Sequence, residues 1–101
     1  MERAQAGLEH ATELFRALAN PMRIAIVLAL AAGPRAVGEL VTELQVAQPR
    51  ISEHLATLRA ANLVVGEREG RHVRYRLADE HVAHIVEDAV LHANEPEPAA
   101  R

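Results

Sequence analysis

The hydrophobic period of this chain changes once, near Asn62, and that single change narrows its folds more than any other feature. Before it, apolar residues recur at helical spacing. Residues 3–18 carry Ala4, Leu8, Ala11, Leu14, Phe15 and Leu18 on one stripe. Asn20-Pro21 then reads as an N-cap with proline at the first helical position, opening a second helix through Ile24, Ile26, Val27, Leu28 and Leu30 to a stop at Gly33-Pro34. Being apolar nearly all round, this helix is expected at the centre. Val37, Leu40, Val41 and Leu44 mark a short third helix, and Gln48-Pro49 opens a fourth with Ile51, Leu55 and Leu58 that ends near Asn62. Two short helices a few residues apart form a helix-turn-helix candidate. After Asn62, Leu63-Val64-Val65 and the alternating Val73, Tyr75 and Leu77 flank Glu69-Gly70-Arg71, the pattern of a β-hairpin. The alternation predicts that His72, Arg74 and Arg76 face solvent on the other side of that strand.

A last helix is expected from Asp79, with Val82, Ile85, Val86, Ala89 and Val90 at heptad-like spacing. Pro96 and Pro98 prevent its continuation, so residues 96–101 are expected to form a flexible tail beyond one domain at 1–95. Four helices, a hairpin and a closing helix are the order of a winged helix-turn-helix domain, mainly α with a small β-hairpin. With 101 residues there is one core to build and little area to bury. A homodimer that extends this core through the first and last helices is therefore expected.

Composition sets the remaining bounds. The absence of cysteine excludes disulfides, thiolate zinc knuckles, a cysteine nucleophile and thiol redox sensing together. Any metal must be held by histidine and carboxylate. No apolar run approaches the eighteen or more residues of a membrane span, and the N-terminus lacks the basic and apolar regions of a signal peptide. No membrane partner and a cytoplasmic location are the expectations.

The formal charge of −3 argues against nucleic acid only as an average. Residues 47–76 hold Arg50, Arg59, Arg68, Arg71, Arg74 and Arg76 against Glu53, Glu67 and Glu69, a local +3. Residues 79–97 hold six carboxylates and no basic residue other than histidine. Such polarity suits a chain whose basic part meets phosphate. Gln48, Arg50, Ser52 and His54, at the start of the fourth helix, are candidate donors to double-stranded DNA in a major groove, with Arg68, Arg71 and Arg74 of the hairpin beside them. Glu53 in their midst is suited to a cytosine amine or else points away.

The last helix holds three of the six histidines. His81 and His92, eleven residues apart, lie within roughly 20° of one face but about 16 Å apart along the axis, so one helix cannot bring both to one ion. Two copies packed antiparallel about a two-fold can, and symmetry then makes the site twice. Asp79 beside His81 and Glu95 one turn past His92 complete a two-histidine, two-carboxylate set suited to tetrahedral Zn(II), with Co(II) as a surrogate. The same residues also read as an N-cap, Asp79, and a solvated face. His84 and Asp88 are assigned supporting or solvent roles. Metal ligands on solvent-facing helices, without a cleft, do not suggest an enzyme.

The stretches LFRALANPMRIAIVLAL and QPRISEHLATLRAANLVVGEREGRHVRYRLADEH, with the spacing Asp79-x-His81-x(10)-His92-x(2)-Glu95, resemble the ArsR/SmtB metal-responsive winged-helix repressors over about residues 11–95. The C-terminal spacing is similar to the metal site of the family's zinc-sensing branch. What the resemblance implies is a homodimer that binds a palindromic operator without metal and releases it on binding Zn(II). The family's other common site needs cysteine in the third helix, where this chain has RAVGELVTEL, so thiophilic sensing there is excluded. Glu53 stands where similar proteins often carry Gln or His, and the resemblance does not carry over an operator sequence. The competing expectations are a Ni(II) or Co(II) sensor of the same family, with more ligands, and a metal-independent winged-helix regulator.

Overall fold

The computed structural model describes residues 2–98. Its elements in chain order are α1 (Glu2–Leu18), α2 (Pro21–Ala31), β1 (Arg35–Ala36), α3 (Val37–Leu44), α4 (Gln48–Ala60), β2 (Val64–Glu69), β3 (His72–Leu77) and α5 (Glu80–Ala93). All five expected helices and the hairpin are present, so the winged-helix order read from the sequence holds. Of the expected tail at 96–101, residues 99–101 lie outside the described residues.

The helix boundaries follow local chemistry. Asn20 accepts hydrogen bonds from the amides of Met22 and Arg23 at 2.9 and 3.1 Å, satisfying two free donors at the start of α2. At the end of α4, Asn62 takes a left-handed φ of 60°, the Leu63 amide donates to the Leu58 carbonyl and the Asn62 amide to Arg59. This closing geometry turns the chain sharply from helix into β2. In the hairpin, Gly70, at φ 64°, is the first of two turn residues, the glycine-first pattern of a primed turn. Tyr75 lies over Gly66, where an added Cβ would sit 3.0 Å from the ring.

The core runs through α2, α3, α4 and the start of the wing. Ile26, Val27, Leu40, Ile51, Leu58 and Leu63 are fully buried, joined by Leu30, Leu55, Val64, Val82 and Val86. As expected, α2 is central, burying Ile26, Val27 and Leu30.

Two features depart from the sequence reading. The sheet has a third strand, two residues long, in the order β1-β3-β2, with Arg35 opposite Tyr75 and Ala36 opposite Arg74. Two residues carry no period, so only the fold reveals it. The second departure follows from the first. Arg74, expected on a solvated strand face, is half-buried because β1 and the first turn of α3 lie alongside β3. His72 and Arg76 are exposed as expected, although Arg76 is paired with Glu67 across the hairpin.

The shape is extended for the chain length. The Cα radius of gyration is 15.3 Å and the long axis 56 Å, against a radius of gyration of roughly 13 Å typical of a hundred-residue domain. The cause is α1, which buries only Ala17 and Leu18. Leu8 is 71 % exposed, Phe15 60 % and, on α5, Leu91 64 %. Among the described residues no single helix is long and apolar enough to cross a membrane.

Candidate nucleic-acid interface and metal centre

The helix-turn-helix is built by α3 and α4. Gln45, at φ 57°, ends α3 in a left-handed turn, and Pro49 sits in the first turn of α4, where no intrahelical donor is needed. α4 buries Ile51, Leu55 and Leu58, a stripe that fixes its rotation about its own axis. Gln48, Arg50, Ser52 and Glu53 are therefore exposed, and His54 is half-buried. The exposed N-terminal end of α4 also offers backbone N–H groups, a favourable setting for phosphate beside Arg50.

The wing arginines fall into two groups. Arg68 and Arg71, at the tip, are exposed and make no side-chain hydrogen bond or ion pair among the described residues. Arg74 and Arg76, nearer the base, are both engaged. Arg76 pairs with Glu67. The Arg74 guanidinium donates to the Pro34 carbonyl at 3.1 Å and lies 3.5 Å from Glu39 and 3.8 Å from Glu69. Arg35 is held by Glu43 at 3.1 Å and by the Gly33 and Pro34 carbonyls. Glu39 accepts from the Ala36 amide at 2.8 Å, the reciprocal half of a capping box. That hydrogen bond, with Arg74 and then Arg35 beside it, lowers the Glu39 carboxyl below its ordinary pKa. Sequence reasoning missed Glu39 and Glu43. Their signal was slight: Glu39 stands three residues after a non-helical Ala36, and alanine cannot supply the other half of the box.

The four metal candidates lie at the two ends of α5. Asp79 is the N-cap, its Oδ1 accepting from the His81 amide at 2.9 Å and the Val82 amide at 3.3 Å. The capping role and a ligand role are compatible, since Oδ2 takes no part in the cap. His81 and His92 are both exposed, and Glu95 follows the helix end, its amide donating to the His92 carbonyl at 3.2 Å. The structure thus brings Asp79 near His81 and His92 near Glu95, and keeps the two pairs apart. Among the described residues no three His, Asp or Glu side chains of one chain gather around a common point. Each end of α5 thus carries one histidine and one carboxylate, nitrogen and oxygen groups of the kind Zn(II) accepts. Between α1, α2 and α5 lies an open apolar cavity of about 270 Å³, lined by Phe15, Leu18, Ile24, Ile85, Ala89 and Val90.

The family pattern described as "Bacterial regulatory protein, arsR family" matches residues 20–65, from the cap of α2 into β2. The HTH-type transcriptional regulator NmtR of Mycobacterium tuberculosis is 39 % identical over 90 residues, which are 89 % of this chain and 74 % of that protein. The chain belongs to the ArsR family. Its HTH-type transcriptional repressor SmtB from Mycobacterium tuberculosis is 61 % identical over 88 residues, 87 % of this chain, and the match spans 65 % of that repressor's length. Among solved structures of ArsR-type proteins, the homodimeric winged helix-turn-helix DNA-binding domain of a possible ArsR-family regulator from Mycobacterium bovis superposes with a TM-score of 0.85 at 34 % identity, over 94 % of this chain and 88 % of that one.

Proposed function

We propose that this protein is a metal-responsive transcriptional repressor, a homodimer that holds a palindromic operator and releases it when Zn(II) binds between the two α5 helices. The observation that carries this reading is the arrangement of α5. Asp79 with His81 and His92 with Glu95 stand at opposite ends of one helix, so a four-ligand centre would be completed only by a second copy. The 61 % identity to a protein named as the SmtB repressor favours the same function.

The DNA side follows from the free donors. Gln48, Arg50, Ser52 and His54 at the start of α4 meet base edges and phosphates in the major groove, and Arg68 and Arg71 of the wing meet the adjoining backbone. A two-fold dimer presents two copies of α4 to two half-sites, hence a palindrome. The exposed apolar surface of α1 and α5 around Phe15 and Leu91 is the dimer contact.

On the metal side, Asp79 and His81 of one protomer face the partner's His92 and the partner's Glu95. These four residues would hold Zn(II), which accepts nitrogen and oxygen ligands and would link one helix to the other. Asp79 stays fixed to the helix start through Oδ1 and offers Oδ2. Because coupling between two sites is reciprocal, the metal loosens DNA only to the extent that DNA-bound dimers hold metal less tightly.

Gel-shift titration of DNA from upstream of the protein's own gene, with Zn(II), Co(II) and Ni(II), tests the reading. The expected result is a complex formed without metal and dissolved by Zn(II) near one equivalent per protomer, with Co(II) a weaker substitute. Release by Ni(II) alone would replace zinc with a metal of higher coordination number. A complex indifferent to all three would leave a metal-independent regulator.

A further inference from the structure

Arg74 was expected beside Arg68 and Arg71 at the DNA, and its surroundings differ from theirs. Its guanidinium spans three segments: the Pro34 carbonyl before β1, Glu39 in the first turn of α3, and Glu69 near the end of β2. Two of these contacts are carboxylates that already neutralise it. Turning Arg74 out to a phosphate would strand Glu39 and Glu69 beside the DNA, a like-charge arrangement that opposes binding. Glu39 is fixed in turn by the Ala36 amide, and Ala36 is the backbone partner of Arg74 in the β1–β3 ladder. The cluster therefore closes on itself, joining wing and helix-turn-helix side by side.

We infer that Arg74 is a positioning residue for DNA binding: it fixes the wing to the first helix of the helix-turn-helix, so that Arg68 and Arg71 at the tip stand at a set distance from α4. This rests on the DNA-binding reading above and revises the role of one residue within it. The two-residue strand β1 supplies few ladder hydrogen bonds, so the wing needs a side-chain brace if its tip and α4 are to bind one duplex together. Isolated exposed ion pairs contribute little to global stability. What the brace controls is the angle of the hairpin.

The test compares Arg74→Gln, Arg74→Lys and Glu39→Gln with the unaltered dimer, measuring affinity for DNA from upstream of the protein's own gene at several salt concentrations. Glu39→Gln decides by its sign. It keeps an oxygen for the Ala36 amide but removes the ion pair. If Arg74 positions the wing, this variant binds DNA roughly fivefold more weakly, the scale of coupling inside one ion-pair network. Arg74→Gln weakens binding by a similar factor, a double variant carrying Arg74→Gln and Glu39→Gln together is no worse than either single one, and Arg74→Lys, which keeps the charge but not the fork, resembles Arg74→Gln. The salt slope stays as in the unaltered protein. If Arg74 instead touches phosphate, Glu39→Gln frees it and tightens binding, Arg74→Lys retains most affinity, and Arg74→Gln lowers the slope by about 0.9, one contact's worth. That pattern overturns the inference. An unaltered protein that binds no DNA removes the parent reading and this one with it, whereas tight binding by all the variants removes this one alone.

Discussion

In α4, Ile51, Leu55 and Leu58 are packed into the chain's own core, and the opposite face presents Gln48, Arg50 and Ser52 at a fixed rotation. In α5, Val82 and Val86 are buried, while Ile85 and Val90 are only partly covered and Leu91 is 64 % exposed. α4 is positioned by one chain, and α5 is half-positioned, its outer apolar face left uncovered by its own chain. The α4 surface can therefore present its donors as a monomer. On the proposed function, a centre on α5 would need a second copy, so that metal response and dimerisation would stand or fall together, whereas the α4 surface is built locally.

The largest effect is expected where that dependence is greatest. His92→Gln removes one of the two nitrogen donors from each shared centre. Zinc affinity should fall by at least about 100-fold, read by competition with a chromophoric chelator, and metal-induced release of DNA should disappear. A variant that still released DNA on zinc addition would move the centre elsewhere.

Phe15→Glu places a charge on the uncovered apolar surface of α1, beside the cavity against α5. Sedimentation should show the dimer weakened by on the order of 2 kcal/mol or more, and zinc stoichiometry should fall in parallel. A dimeric Phe15→Glu protein would separate the two properties joined above.

Arg50→Ala acts only at the α4 end. It should cost about 1–3 kcal/mol in operator affinity and leave zinc binding intact, as gel shift and chelator competition respectively would show. Loss of zinc binding in this variant would mean that the two ends communicate through folding rather than through the dimer.

Asp79 joins both roles and gives a smaller, divided effect. Asp79→Ala should lose the cap, about 1 kcal/mol of stability, along with a metal ligand. Asp79→Asn keeps a capping oxygen and should melt within a degree or two of the unaltered protein while binding zinc more weakly. Equal melting of the two variants would show that Oδ1 does no capping in solution.

The smallest effect is at Glu39. The Ala36 amide, then Arg74 and Arg35, hold its carboxyl below the ordinary value. A folded pKa below the unfolded one contributes stability that is full above the unfolded value and is lost as pH falls through the folded value. Denaturant unfolding at a series of pH values should therefore find Glu39→Gln slightly less stable than the unaltered protein at neutral pH, with the difference vanishing as pH falls below the ordinary glutamate pKa, where the unaltered protein has lost the same contribution.

Residues whose role depends on local spacing were legible in the sequence. Asn20-Pro21 announced a helix start and became one, with both amides capped by the asparagine. Asn62 marked the end of α4 and takes the left-handed conformation that ends it. The change from helical to alternating period placed the wing, since buried faces must repeat with the geometry of their element. Legible too was the separation of the donor pairs on α5, because eleven residues of helix have a fixed length.

The contacts of Arg74 were not legible in the same way. Alternation correctly puts it on the strand face opposite Val73 and Tyr75, but alternation says nothing about what lies over that face. Its partners Pro34 and Glu39 are forty and thirty-five positions away, brought close by a two-residue strand that leaves no periodic trace. The sequence by itself determined the elements, the central place of α2, the basic and acidic halves and the separation of Asp79 and His81 from His92 and Glu95 along α5, all of which depend on spacing along the chain. Tertiary structure alone decided which arginines are free and which are tied, because an ion pair depends on where the fold puts the opposite charge.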